Sequence, residues 1–229
     1  MKLITTTMLL AYAGELINLG ETGIVAKYDD KAFEKTASSG KYLPRLQLMG
    51  GSSEKCKAGE FQVNNYALVT GDVYADLGKE VDVLVIAWRP KAMEIGDAII
   101  NSHDPESVEF KRIMDRADVK DSGCMFGPEY LVYIPAVKKF ATFFCGSKTS
   151  RKEAPAIKER MLAAATFKSK KIQTKDYTWY GPQCVPCSTP FEIPAMDLIK
   201  VELEKFNNPP AEDVTAAPEA AGNESARAR

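Results

Sequence analysis

Histidine is almost missing from this chain. His103 is the only one in 229 residues, so a mixed histidine–cysteine zinc centre is short of ligands. No nucleophile–base pair is visible either, and the chain is read as a non-enzyme. Cysteine is scarce and odd in number, five in all. It lacks the regular spacing of a disulfide framework, which favours a reducing, cytoplasmic setting. Cys184-Val185-Pro186-Cys187 has the C-x-x-C form, but Cys56, Cys124 and Cys145 are scattered singly. Zinc needs two further ligands. A redox pair would prefer a helix N-terminus, whereas this pair lies among prolines. It reads as buried or edge cysteines, and no metal or other cofactor is expected. No apolar run reaches the ~18–20 residues of a membrane helix, and no internal repeat is present. The opening segment, Met1-Lys2-Leu3-Ile4 through Tyr12-Ala13-Gly14, has a lysine, a short apolar run and an Ala-x-Ala pattern. Three threonines, Thr5 to Thr7, dilute its apolar stretch, and it is not read as a secretion signal.

What is present is an uneven charge. The net charge is only −1. Yet residues 138–175 hold nine lysines and two arginines against Glu153 and Glu159, a local charge of +9. The rest of the chain therefore sums to −10. Aromatic residues interleave with the block: Phe140, Phe143, Phe144 and Phe167, then Tyr177, Trp179 and Tyr180. Lysine and arginine neutralise phosphates and release counterions. Aromatic faces stack on unpaired bases, which holds single strands without reading their sequence. The expected surface comprises Lys138, Lys139, Phe140, Phe143, Lys148, Arg151, Lys168, Lys170, Lys171, Lys175, Tyr177 and Trp179. Trp88 and Arg89, at the end of the strongest strand, are a second stacking candidate; the plain alternative is a tryptophan half buried at the sheet rim. Alternation cannot send Phe140, Phe143 and Phe144 all to solvent, so one is expected in the core and another free to stack. It also sets Tyr177 and Trp179 on one face, and a hairpin could bring Lys168 and Lys170 to the same surface.

Residues 1–40 show no clean period. Strand signals follow at residues 43–49, 61–70 and 81–88, the last a short β-branched run that Arg89-Pro90 is expected to end. Asp104-Pro105 reads as an N-cap and first helical residue. Phe110, Ile113, Met114 and Ala117 then share a helical face. Gly123 and Gly127-Pro128 are read as breaks. Strands at 130–134 and 140–145 precede a helix whose capping box would be Ser150 with Glu153. Strands at 167–174 and 177–180 flank a Lys175-Asp176 turn. Four prolines make 181–194 irregular or edge-like, and 196–206 is a closing helix. From Asn207 onward nothing aromatic remains to bury, so 207–229 reads as a disordered tail.

Two competing motifs are set aside. Gly146-Ser147-Lys148-Thr149 resembles the end of a P-loop, but Ser147 separates glycine from lysine and Ala141 stands near the first glycine's place. Lys148 or the following helix N-terminus could still touch a phosphate. Asp72, Asp76, Glu80 and Asp82 crowd a turn and could hold Mg²⁺ for a nuclease; a polar hairpin turn is the plainer account.

Several blocks carry a family likeness: Tyr42-Leu43-Pro44-Arg45-Leu46-Gln47-Leu48-Met49-Gly50, Leu77-Gly78-Lys79-Glu80-Val81-Asp82-Val83-Leu84, Phe126-Gly127-Pro128-Glu129-Tyr130, the run 139–151, and Thr166-Phe167-Lys168-Ser169-Lys170. Together they resemble bacteriophage single-stranded-DNA-binding proteins built on an oligonucleotide-binding barrel. The resemblance implies single-stranded DNA and replication or recombination proteins as partners. Such proteins often end in an acidic tail with a terminal aromatic. Here Glu212, Asp213, Glu219 and Glu224 are followed by Arg227-Ala228-Arg229. The expected fold is mainly β with inserted helices (α+β), an OB-fold-like Greek-key barrel or, on strand count alone, a sandwich. Residues 1–206 would form one domain with an N-terminal extension. The leading functional reading is single-stranded DNA binding in phage replication or recombination. A phage structural or accessory protein touching DNA or another subunit is the alternative, and a metal-dependent nuclease the third.

Overall fold

The computed structural model describes residues 17–18, 25–26, 43–51, 57–64, 73–96, 99–175 and 177–208. Strands β1 (Ile17–Asn18) and β2 (Val25–Ala26) pair only with each other. The main sheet contains β3 (Arg45–Leu48), β4 (Phe61–Asn64), β5 (Val73–Gly78), β6 (Glu80–Ile95), β7 (Ile99–Ser102), β8 (Cys124–Ile134), β9 (Lys139–Phe144), β10 (Ala164–Gln173) and β11 (Thr178–Pro186). Helices α1 (Val108–Arg116), α2 (Lys148–Lys158) and α3 (Met196–Asn207) interrupt or follow it. The strand order is β11-β10-β6-β8-β9-β3-β4-β5, with β7 beside the far half of β6. Only β3–β9 is parallel. The sheet curls into a half-barrel. At the closing side Tyr180 of β11 lies against Gly59, where an added Cβ would fall 2.5 Å from the ring.

The described residues are thus mainly β with three α-helices, in keeping with the expected class, but several boundaries differ. Strand β6 does not stop at Arg89-Pro90; it is 16 residues long. Pro90 lies opposite Pro128 of β8, and their carbonyls point away from each other, toward His103 Nδ1 and the Cys145 N–H, so neither missing N–H belongs to the β6–β8 ladder. Gly127-Pro128 likewise sits inside β8 rather than breaking the chain. Ser107, not Asp104, caps α1: its side chain accepts the Phe110 N–H at 3.1 Å. Ser147 caps α2, accepting the Ser150 N–H at 3.1 Å, so Ser150 is inside the helix rather than its cap. Strand β11 reaches Pro186 and has β10 as its ladder partner, in keeping with the edge reading of its prolines. The expected tail from residue 209 on, and Asp72, lie outside the described residues.

Alternation along β6 builds two cores. Val81, Val83 and Val85 face one side, with Leu46, Phe61, Val63, Tyr130, Phe143 and Phe167 and the α2 residues Ala154 and Ile157. Leu84 and Ile86 face the other, with Leu131, Tyr133, Phe140 and the α3 residues Met196, Ile199 and Phe206. A register shift lies between Val85 and Ala87, and Ile86 and Ala87 both pack on the α3 side. This bulge puts an extra residue into β6 and reverses which parity faces which side beyond it.

Charges are buried past the bulge. Glu129 of β8 is 1% exposed. It accepts from Lys91 Nζ at 2.7 Å and from Arg89 Nη2 at 2.6 Å. Arg89 also donates to the Phe206 carbonyl and covers the Phe206 ring at 4.3 Å. Burial pushes the Glu129 carboxyl up, but Lys91 and Arg89 outweigh it and hold it at about 2. Burial and then Arg89 lower the pKa of His103, whose Nδ1 is 3.1 Å from the Pro90 carbonyl. Both groups therefore contribute stability that is present above their unfolded values, roughly 4.3 and 6.5, and lost as pH falls below them. Glu129→Ala would leave Lys91 buried without its counter-charge and should cost about 3–5 kcal/mol in urea unfolding. Its stability should also fall less than the wild type's between about pH 4 and pH 2. An unchanged midpoint in the variant would show that the cluster contributes nothing.

Candidate nucleic-acid interface

Local rules place the basic residues on three elements. Lys138 has a left-handed conformation (φ 51°) after the Pro135–Val137 turn and starts the chain into β9. Lys148 and Arg151 fall on α2, and Lys168, Lys170 and Lys171 on β10. The β10–β11 register sets Lys168 opposite Gln183, Lys170 opposite Gly181 and Ile172 opposite Trp179. Residues opposite one another, and residues two apart, share a face. Lys168, Lys170, Ile172 and Trp179 therefore lie on one face of the hairpin. Lys171, opposite Tyr180, lies on the other. Lys175 and Tyr177 sit at the hairpin tip, where the Thr174 N–H donates to the Tyr177 carbonyl at 2.8 Å. Tyr177 is 74% exposed.

The N-terminus of α2 meets this face. The half-buried Trp179 donates its indole N–H to Thr149 Oγ1 at 3.1 Å. A Cβ on Gly181 would fall 2.5 Å from Thr149 Cγ2, so the absence of a side chain there is what lets the helix approach. Lys148 is thereby carried to the edge of the face that holds Lys170 and Trp179. Thr149 is occupied by the indole.

Lys138, Lys148, Lys152, Lys170, Lys171 and Lys175 are exposed, and among the described residues none has an ion-pair partner. Their charge is thus unneutralised. The half-buried Lys139 stands opposite Ile134. Two cations of the segment are engaged in ion pairs. Lys168 pairs with Glu80 at 3.0 Å. Arg151 pairs with Asp118 at 2.8 Å, donates to the Phe126 and Gly146 carbonyls and covers the Phe126 ring at 4.3 Å.

Several expected contacts are not available. Phe140 and Phe143 are 1% and 3% exposed. One packs on Tyr133 at 5.2 Å, the other on Phe167 at 4.9 Å. Alternation sent them to opposite faces as expected, but helices cover both faces, so neither offers a ring to a base. Arg89 is spent on Glu129 and Phe206. Trp88, by contrast, is 42% exposed, with Lys158 Nζ at 4.5 Å from its ring. Lys152 and Lys158 were not singled out from the sequence. Helical spacing from Lys148 could have found Lys152; the Lys158–Trp88 contact joins distant segments and leaves no local signal.

The carboxylates read as a metal site have other work. Asp76 accepts the Gly78 N–H at 3.1 Å, Asp82 accepts from Thr166 Oγ1 at 2.6 Å, and Glu80 holds Lys168. Glu80 and Asp82 line a groove of about 410 Å³ with Leu77, Val81, Pro135, Ala136 and Phe191. Among the described residues no histidine, cysteine and carboxylate group is placed to hold a metal. The C-x-x-C does not act as a unit. Cys184 packs with the α2-side core and Cys187 with Ala164 and Phe191. Burial pushes the Cys184 thiol up to about 12 and raises Cys187 as well, so neither is an activated thiolate. Among the described residues no helix is long and apolar enough to cross a membrane. Comparison with family models, with curated proteins and with solved structures gives no match.

Burial makes one outcome plain for the phenylalanines. Phe143→Ala should cost about 3–5 kcal/mol of folding stability, read by thermal or urea unfolding. A fully stable variant would mean that its ring lies outside the core.

Proposed function

We propose that this chain is a binding protein for single-stranded nucleic acid, acting in DNA replication or recombination, with a bacteriophage as the setting that the sequence resemblance suggests. The observation that carries the reading is the shared face of the β10–β11 hairpin, where the unpaired Lys170 lies with Trp179 and the indole is bonded to Thr149, the neighbour of the unpaired Lys148 on α2. Unpaired lysines beside a partly open indole suit a strand whose phosphates are neutralised and whose bases stack. A curled sheet with a helix packed in its opening is in keeping with an oligonucleotide-binding barrel, and that finer fold reading belongs to the proposal. The nuclease reading finds less support, because its described carboxylates are each engaged in hydrogen bonds or an ion pair.

Titration with a dT oligomer at two or more salt concentrations tests the proposal. Affinity should fall with salt at a slope of roughly −0.7 per neutralised phosphate, with quenching of tryptophan emission. A flat salt response would remove the reading. Trp179→Ala should weaken binding by about 1–3 kcal/mol, the usual loss for one stacked base, and leave the salt slope unchanged, because no positive charge is removed. Equal affinity in a folded Trp179→Ala protein would eliminate this residue as a base platform.

A further inference from the structure

The two tryptophans of the chain stand at opposite ends of one helix. Trp179 is bonded to Thr149 in the first turn of α2. The Trp88 ring lies against Lys158, the last residue of α2. We infer that the outer side of α2 is a track for a single strand, with Trp179 and Trp88 as base platforms at its two ends. The inference rests on the nucleic-acid reading above and extends it from the hairpin to a second platform.

Three observations on separate elements converge here. The β6 bulge between Val85 and Ala87 turns Trp88 to the side of Tyr130, its partner across the ladder, which belongs to the core that α2 covers. Arg89 then faces α3. Trp88 is left 42% exposed, so part of its ring is open to a partner. The exposed residues of α2 are Lys148, Lys152, Pro155 and Lys158, and the exposed Glu159 is its C-cap. Lys148, Lys152, Pro155 and Glu159 follow the 4-3-4 spacing of one helical stripe. Glu153, the other acid on α2, turns inward and accepts the Cys184 N–H at 2.8 Å. Two lysines, Lys148 and Lys152, therefore lie on the stripe, Lys158 stands beside it at the Trp88 ring, and Glu159 is the one carboxylate at its end.

The dimensions suit a strand. From Thr149 to Lys158 the helix rises about 13–14 Å at ~1.5 Å per residue. A stacked strand advances about 3.4 Å per nucleotide, so roughly four nucleotides reach from one platform to the other. A cation over an indole face occupies that face in the free protein. An arriving base would displace Lys158 from the ring, and the freed ammonium would lie beside the phosphate of the same nucleotide.

The test uses the full chain and homopolymeric dT. In Trp179→Phe the only tryptophan is Trp88, and a dT oligomer of about 20 nucleotides should quench its emission. Trp88→Ala should weaken binding of that oligomer by about tenfold, within the range for one stacked base, and leave binding of a dT dimer unchanged. Lys158→Gln should reduce the salt slope by about 0.7 and keeps the test open if Trp88→Ala fails to fold. If Trp88 emission is unmoved and Lys158→Gln has the wild-type slope while Trp179 is still quenched, the track ends at the hairpin. The inference then fails and the nucleic-acid reading stands. If neither tryptophan responds and binding is insensitive to salt, both fail.

Discussion

Everything that faces the candidate surface depends on how α2 closes the open side of the sheet. Three contacts hold it there. Tyr130 donates its hydroxyl to the Ala154 carbonyl at 2.8 Å. Glu153 takes the Cys184 N–H, a main-chain donor of β11 that has no strand beyond it. Trp179 donates to Thr149. Ile157 adds a fully buried side chain, worth about 1.5–3 kcal/mol in area terms. These contacts share a consequence: the inner side of α2 is committed, and its lysines are left on the outside. Pro155 lies inside α2, where its missing N–H and its ring cost helix stability, and the packing of the inner side must offset that cost.

The central strand sets the other half of the arrangement. A regular strand would keep one parity on each face along its length. In β6 that would place Trp88 with Leu84 and Ile86 against α3, and Arg89 with the valines against α2. The bulge exchanges them. It is held by the turn before β10, where the Leu162 N–H donates to the Val85 carbonyl at 2.7 Å and the Val85 N–H donates to the Ala163 carbonyl at 3.3 Å. Leu162 has φ 60° there, a strained conformation for a leucine that the two bonds and the surrounding packing must offset. One irregular residue thus separates a buried ionic cluster under α3 from an exposed aromatic beside α2. Bulges commonly re-aim side chains in this way.

Much of this was legible in the sequence, for reasons that can be named. The short β-branched run of 81–88 announced a strand, and the proline content of 181–194 an irregular or edge segment. The opposite faces of Phe140 and Phe143 followed from the pleat alone. What the pleat could not say was that both faces are covered, because the covering helices come from distant parts of the chain. Pro90 and Pro128 read as stops because each, taken singly, removes a ladder donor. Only the structure shows that both face outward from the β6–β8 pair, so that neither donor belongs to that ladder. The basic run named the right segment, but not which of its cations would be consumed. Arg151 and Lys168 meet acids 33 and 88 residues away, a separation at which local pattern carries no information.

That consumption gives the surface its direction. Lys168 is next to Glu80, and beyond it lies the groove that Glu80 and Asp82 line. A phosphate approaching the hairpin there meets carboxylates. Moving along the same face toward Gly181, it meets Lys170, then Lys148 at the start of α2, none of them paired. The acids of the rest of the chain thus act at this end as a boundary, since like charges a few ångströms apart repel, and unpaired lysines favour the opposite course. Local net charge alone would spread the attraction over the whole segment. Subtracting the paired cations leaves it at the hairpin tip, on β10, on the outer turns of α2 and at Lys138 before β9.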